Sequence, residues 1–454
     1  MKKSIVYIAL VAVVILAVGF IVMRQTAKQE AYQPLKERTA KLAVGDEWTK
    51  TKTLADNLFT QLNQNKEAKT TPDTKTLLKL AEIYIQEGRI TGDHLYYDQA
   101  AMKLVDDALA IDSASFEALS YKSMIYLSGH HFTEGLEYAT KAQQANPYNA
   151  FVYGLLTDAH LELGNYDEAV KMADKMVSIR PDLRSYSRVS YLREVYGDYP
   201  GAIDAMKLAV AAGYPSLEET EWARVQLGHL YEYTGNIDSA KLQYLTALAY
   251  RPDYPYAYAG LARLEQQQKN YAAAINYYLM ADSIVDNYTF QNELIDLYAE
   301  SGDTKKMEET LELVLDKLNK HASEGTEDND IGHYADLELA YVYVKTNDFD
   351  KAQEHALREW NRRPGNIDVN ELLGWIYLKT GKMEDALKHI DMALKTGSQN
   401  PMLMSRAAII YFKAGDIEKA KQYKELALKN KPNYSPSLQQ ELTATVGAAD
   451  MVSQ

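Results

Sequence analysis

A chain of 454 residues, 46% hydrophobic and 25% charged, has the composition of a folded protein and the length for one large domain, several small ones or a repeat array. Its 63 acidic against 49 basic residues give a formal net charge of −14, with the basic residues scattered among Glu and Asp, so the basic footprint of a general nucleic-acid binder is absent. The lack of cysteine excludes disulfides, thiolate metal sites and a Cys nucleophile, and is compatible with export to an oxidising compartment.

The chain opens with "MKKSIVYIALVAVVILAVGFIVMR", uncharged from Ile5 to Met23. A helix of that length spans about 28 Å, close to the ~30 Å hydrocarbon core of a bilayer. Residues 1–24 therefore read as a single transmembrane anchor. A cleaved signal sequence, with Ala17-Val18-Gly19 as its site, and a buried soluble helix are the alternatives. Lys2 and Lys3 favour a cytoplasmic N-terminus, whereas Arg24, Lys28, Lys36 and Arg38 on the other flank argue the opposite way. The expected location is the cell inner membrane, single-pass, with the body on the periplasmic side. Residues 25–73 read as a helical stalk: Trp48, Leu54, Leu58 and Leu62 recur at helical spacing. "NQNKEAKTTPD" breaks it, with Pro72 placed to start a new helix.

A 34-residue pattern follows. "AFVYGLLTDAHLELGNYDEAVKMADKMVSIRPDL" starts at Ala150, "EWARVQLGHLYEYTGNIDSAKLQYLTALAYRPDY" at Glu221 and "HYADLELAYVYVKTNDFDKAQEHALREWNRRPGN" at His333. Aligned, they match Gly164 with Gly235 and Asn347, Ala169 with Ala240 and Ala352, and Pro181 with Pro252 and Pro364. Further units start near Phe116, Leu183, Pro255, Tyr288, Ile367 and Pro401, after a divergent one near Thr74. This pattern resembles the tetratricopeptide repeat (TPR) family. The resemblance covers residues 74–434 and implies an all-α fold: a right-handed superhelical solenoid of about ten helix-turn-helix units, with residues 435–454 as capping helix and tail. Small residues at places eight and twenty let helix A approach helix B, Gly near place fifteen permits the turn, and Pro at place thirty-two ends helix B. The excess of tyrosine, 35 against 8 Phe, is then expected mostly between helices, since Tyr84, Tyr126, Tyr231, Tyr298, Tyr343, Tyr377 and Tyr411 all fall at place eleven.

No catalytic constellation, cofactor motif or metal motif stands out, so no enzyme and no cofactor are expected. His130 and His131 fall at a turn and read as turn residues. The acidic "SEGTEDNDIG" (323–332) lacks EF-hand spacing and reads as a solvated loop. The resemblance implies a scaffold that binds a protein or peptide through places 2, 5, 6, 9, 12 and 13 of each helix A. Carried onto residues 150–300, those places give Phe151 and Asp158; Arg184, Arg188 and Tyr191; Trp222, Gln226, His229 and Tyr233; Tyr256 and Arg263; and Asn292 and Asp296. Ser187 and Gln267 complete the set. Arg, Trp, Tyr and His are the types that concentrate binding energy. No unit has the Lys and Asn pair of the chaperone-binding TPR subgroup, so a clamp on a C-terminal carboxylate is not expected. The expected role is a membrane-anchored scaffold for a protein or peptide in envelope complex assembly or quality control. A cytoplasm-facing tether, and a binder of a glycan or lipid-linked intermediate, are the alternatives.

Overall fold

The computed structural model describes residues 32–39, 41–42, 45–323 and 332–452. Among these, the regular structure is 22 α-helices. Helix α1 (Gly45–Glu67) precedes ten antiparallel pairs. They are α2 and α3 (Thr74–Thr91, His94–Ile111), α4 and α5 (Phe116–Ser128, Phe132–Ala145), α6 and α7 (Ala150–Glu162, Tyr166–Ile179), α8 and α9 (Leu183–Val195, Tyr199–Ala212), and α10 and α11 (Glu218–Tyr233, Ile237–Tyr250). Then follow α12 and α13 (Pro255–Gln267, Tyr271–Asp282), α14 and α15 (Tyr288–Ser301, Thr304–Ser323), α16 and α17 (Asp336–Lys345, Phe349–Arg362), α18 and α19 (Ile367–Lys379, Met383–Ala393), and α20 and α21 (Pro401–Lys413, Ile417–Leu428). The last helix, α22 (Pro436–Val452), packs on α20 and α21. The first member of each pair is its helix A, the second its helix B.

Local chemistry sets these boundaries. The side chains of Asp73, Asn149, Asn287, Asn366 and Asn400 accept from the first free N–H groups of the helices they precede. Asp182 and Ser185 form a reciprocal capping box at α8. Pro255 and Pro401 stand at the first helical position, where a missing N–H costs nothing. The turn from helix A to helix B passes through a left-handed residue: Gly164, Gly235, Gly302, Gly381 and Gly415 have φ between 71 and 88°, and where glycine is absent His130, Lys269 and Asn347 take φ of 63, 61 and 59°. Across each pair, Ala169, Ala240, Ala352, Ala386 and Ala420 are wholly buried, so helix axes approach closely. Of the place-eleven tyrosines, Tyr84, Tyr298, Tyr343, Tyr377 and Tyr411 are buried, and Tyr126 and Tyr231 half-buried.

The segment before the first pair joins the same core. Trp48 and Leu62 of α1 are buried with Leu77 and Tyr84. Upstream, Arg38 makes a bidentate pair with buried Glu87 (2.8 and 2.5 Å), and Tyr84 donates to the Gln33 carbonyl at 2.6 Å.

Stacked pairs coil, and here the coil meets itself. Turns of one round touch linkers about 200 positions later, which is about six units per round. Tyr334 N donates to the Gly129 carbonyl at 3.1 Å. Arg363 donates to Glu162 at 2.5 Å, Asn366 to the Glu162 carbonyl at 3.0 Å, and Ile367 N to the Tyr166 hydroxyl at 2.9 Å. Asn433 closes the last round: its backbone N–H donates to the Glu232 carbonyl at 3.2 Å and its amide to the Glu232 carboxylate at 2.9 Å. Glycine is required at two of these crossings. A Cβ on Gly164 would lie 2.2 Å from Gly365 C, and one on Gly235 would lie 1.7 Å from Asn430 O.

The expected inner-membrane, single-pass placement is corrected. Among the described residues no helix is long and apolar enough to cross a membrane. The longest, α1 with 23 residues and α15 with 20, carry Lys, Asp and Glu along their length, because each helix of a stacked array keeps one face in water. Residues 1–24, on which that expectation rested, lie outside the described residues, as does most of the acidic insert (324–331).

Candidate functional site: the lumen of the coil

Because each round closes on the next, the concave face becomes a lumen lined by A helices. A cavity of about 750 Å³ is walled by side chains of α10, α12, α14, α16, α18 and α20 and capped by residues 433–441. His229, Tyr233, Arg263, Asn292 and Asp296 line it, joined by Tyr341, Lys345, Trp375 and Arg406 from the far wall. A second cavity of about 60 Å³ lies between Tyr191 and Glu194 on α8 and Asp368 and Glu371 on α18.

None of the thirteen residues singled out between 150 and 300 is buried: Arg184 and Tyr191 are exposed, the rest half-buried. Several are brought together as pairs. Arg188 grips Asp158 with two hydrogen bonds of 2.8 and 2.5 Å, and also donates to the Gly154 and Arg184 carbonyls. Arg263 contacts His229 and is paired with Glu232 at 2.9 Å, while Glu232 also accepts from the buried Tyr244 hydroxyl. Lys345, one unit on, donates to the Asp296 carboxylate at 2.7 Å and to the Asn292 carbonyl at 3.0 Å. Arg184 pairs with Glu219 at 3.3 Å. Tyr233 meets Tyr199 edge to face.

Others are held mainly by packing. Phe151 packs against the cluster around Leu119 and Tyr153. Trp222 packs between two clusters with Arg89 above its ring at 6.0 Å, and Arg89 pairs with Glu218 at 2.7 Å. Tyr256 sits edge-on to Tyr254 and tilted to Phe290. Gln226 is half-buried on the same face of α10. Of the flanking places, Ser187 is buried and donates to its own helix, and Gln267 is half-buried.

Electrostatics follow from enclosure. Burial, with Arg263 beside it, pushes the His229 imidazole well below its ordinary range, so it is neutral at pH 7. Burial and Asp368 push Glu194 up to about 7. Burial also brings Glu371 to about 7, against the opposing charge of Arg406 and with the help of Asp368. Glu162 reaches about 7 by burial although Arg363 opposes it. Tyr191 keeps 44% of its surface open to solvent, yet its hydroxyl is pushed well above its ordinary range, because the wall around it is protein and carries Asp368, Glu162 and Glu194.

Glu162, Glu194, Lys345, Asp368, Glu371 and Arg406 were not among the residues singled out. They occupy places 13, 12, 13, 2, 5 and 6 of their units, so the same place rule, extended past residue 300 and applied to the last turn of each helix A, finds them.

A carboxyl whose folded pKa lies above its unfolded value contributes stability that is fully present below about 4.5 and is lost as pH rises through about 7. Glu194→Gln removes the charged form. The variant is expected to be more stable than the parent by about 1–2 kcal/mol at pH 8.5 and to show no gain at pH 5. Urea melts at the two pH values check this, and an equal gain at both would contradict it.

Comparison with known sequences and structures finds repeats in the middle and C-terminal parts of the chain. Family models described as tetratricopeptide repeat match residues 225–291 and 337–401, and a second such model matches 152–183 and 403–434. No curated protein matches the chain. Among solved structures the chain is similar to human IFIT1, solved as a dimer with PPP-AAAA, with 14% identity, TM-score 0.46, and coverage of 75% of this chain and 78% of that one. It is also similar to PilW, a widely conserved type IV pilus biogenesis factor, with 16% identity, TM-score 0.37, and coverage of 48% and 96%. A third is TTC0263, a thermophilic TPR protein of Thermus thermophilus, with 20% identity, TM-score 0.35, and coverage of 44% and 98%.

Proposed function

The chain is a tetratricopeptide-repeat protein, and from that premise we propose that it is an interaction scaffold that holds an extended protein or peptide segment in its lumen. The family is generally a non-enzymatic scaffold, and no catalytic family is indicated by the matches. One observation carries the reading: a cavity of about 750 Å³ whose walls come from six successive A helices and carry aromatic and charged side chains. Arg188, Arg263 and Lys345 are each held by a carboxylate at hydrogen-bond distance, so the donors are fixed in place before a partner arrives. Tyr191, Trp222 and Tyr256 offer large contact areas at little rotamer cost. Glu194 and Asp368 line the smaller cavity; burial and Asp368 raise the Glu194 pKa, and burial raises that of Asp368 against Arg363, which favours a basic side chain of the partner there.

The test is co-purification. Tyr233→Ala, Asn292→Ala and Tyr341→Ala combined, all three lining the cavity, are expected to cut partner recovery at least about tenfold with helicity retained. Leu242→Ala, on an exposed position of helix B, is expected to leave recovery as it is. Unchanged recovery in the triple variant would remove the lumen from the reading.

A further inference from the structure

His130 and His333 are 203 positions apart, yet their rings meet with centroids 4.2 Å apart where one round of the coil lies on the next. Glu338, in the first turn of α16, reaches the same point. Its Oε1 is 3.5 Å from His130 Nδ1 and 3.8 Å from His333 Nε2. One ligand atom from each of the three lies within 4.8 Å of those of the other two. The side chains are 26, 22 and 14% exposed, so the point is neither sealed nor open surface.

We propose that His130, His333 and Glu338 form a three-ligand site for a divalent first-row transition-metal ion, with Zn²⁺ as the best fit. Two imidazole nitrogens and one carboxylate oxygen are the donor set such ions take, with the fourth position left to water. Bonds of about 2.0–2.1 Å in tetrahedral geometry place ligand atoms roughly 3.3 Å apart, so side-chain rotations of about 1 Å close the site.

The backbone already fixes the frame. Tyr334 N donates to the Gly129 carbonyl at 3.1 Å, His131 Nε2 meets the Gly332 carbonyl at 2.8 Å, and the His131 and Tyr334 rings lie 3.9 Å apart. His130 Nδ1 also lies 3.3 Å from the Tyr334 carbonyl, a contact it exchanges for the ion. Arg363, whose positive charge is felt at His130, is neutralised by Glu162 and Glu359. An ion here ties residue 130 to residues 333 and 338, and so pins one round to the next.

The experiment uses the full chain, stripped with chelator. Calorimetric titration with Zn²⁺ is expected to show one equivalent bound and a higher melting temperature, and Co²⁺ to give the intense ligand-field absorption of a tetrahedral site. His130→Asn keeps a residue that tolerates the left-handed backbone, and Glu338→Gln keeps the side-chain shape. Each is expected to weaken Zn²⁺ at least tenfold and to abolish the Co²⁺ spectrum. A parent that binds no stoichiometric Zn²⁺ and shows no Co²⁺ spectrum would overturn the proposal and leave two imidazoles and a carboxylate that merely lie close together. Binding unchanged in both variants would overturn it equally, by placing the ion elsewhere.

Discussion

Arg363→Met is expected to destabilise the protein by about 3–5 kcal/mol and to loosen the coil. Among the described residues Arg363 is the one cation that touches Glu162 and Glu359 together, and its side chain is only 3% exposed. It also lies over the Phe132 ring at 4.7 Å, so it joins α5, α6 and α17. Methionine keeps much of the volume and removes the charge. Glu359 retains Arg362, but Glu162 is left enclosed with no cation, and the cost falls on the crossing between rounds. Arg363→Met with Glu162→Gln is expected to recover part of the loss at pH 8.5, where Glu162 without Arg363 would otherwise have to be charged or take up a proton. Chemical denaturation measures the energy. Small-angle scattering measures the opening: the radius of gyration of the single variant should exceed that of the parent. A compact single variant with parental stability would show that the crossing does not depend on this ion triad.

The second large effect is expected at Gly235. Gly235→Ala places a methyl group 1.7 Å from the Asn430 carbonyl oxygen, and backbone cannot yield as a side-chain end does. A left-handed φ of 71° adds about 1 kcal/mol for any residue with a Cβ. Residues 430–434 must move, and with them Asn433, which bonds Glu232 and the Arg263 carbonyl, and Tyr434, which bonds Ser405. A total loss of about 2–4 kcal/mol is expected, with faster hydrogen exchange concentrated in 430–446. Gly381→Ala and Gly415→Ala are the controls. Both glycines are left-handed and neither would crowd a neighbour, so only the local cost of about 1 kcal/mol should appear. Equal losses at all three positions would mean that the crossing contributes nothing.

The repeat was legible because its causes are local. Glycine at most of the turns between paired helices and alanine where helices touch recur at fixed spacing, and the structure gives each such turn a left-handed residue and buries those alanines. Place within the unit also told which side chains of neighbouring A helices meet, as Asp158 with Arg188 shows. The closure of the coil was not. Glu162 meets Arg363, and His130 meets His333, across about 200 residues, and nothing near His130 marks it as anything but a turn residue. Such contacts depend on a small rotation per unit summed over about six units, a quantity no single repeat displays. The tyrosines of residues 249–258 show how neighbours in sequence part company: Tyr254 is buried with its hydroxyl bonded to Glu218, Tyr256 is half-buried against Tyr254 and Phe290, and Tyr258 is half-buried on Tyr277.

Contact between successive rounds has a kinetic consequence. An open groove can be filled from the side, whereas a coil whose edges touch at Gly129, Gly164, Gly197 and Gly235 offers no lateral gap there. On the proposed function, a partner segment must thread from an end or wait for the rounds to part. Association is then gated by a motion of the host, with rate constants below the about 10⁵–10⁷ M⁻¹s⁻¹ of ordinary docking, and release is slowed by the same barrier. Residence time, more than equilibrium affinity, is the property this architecture sets.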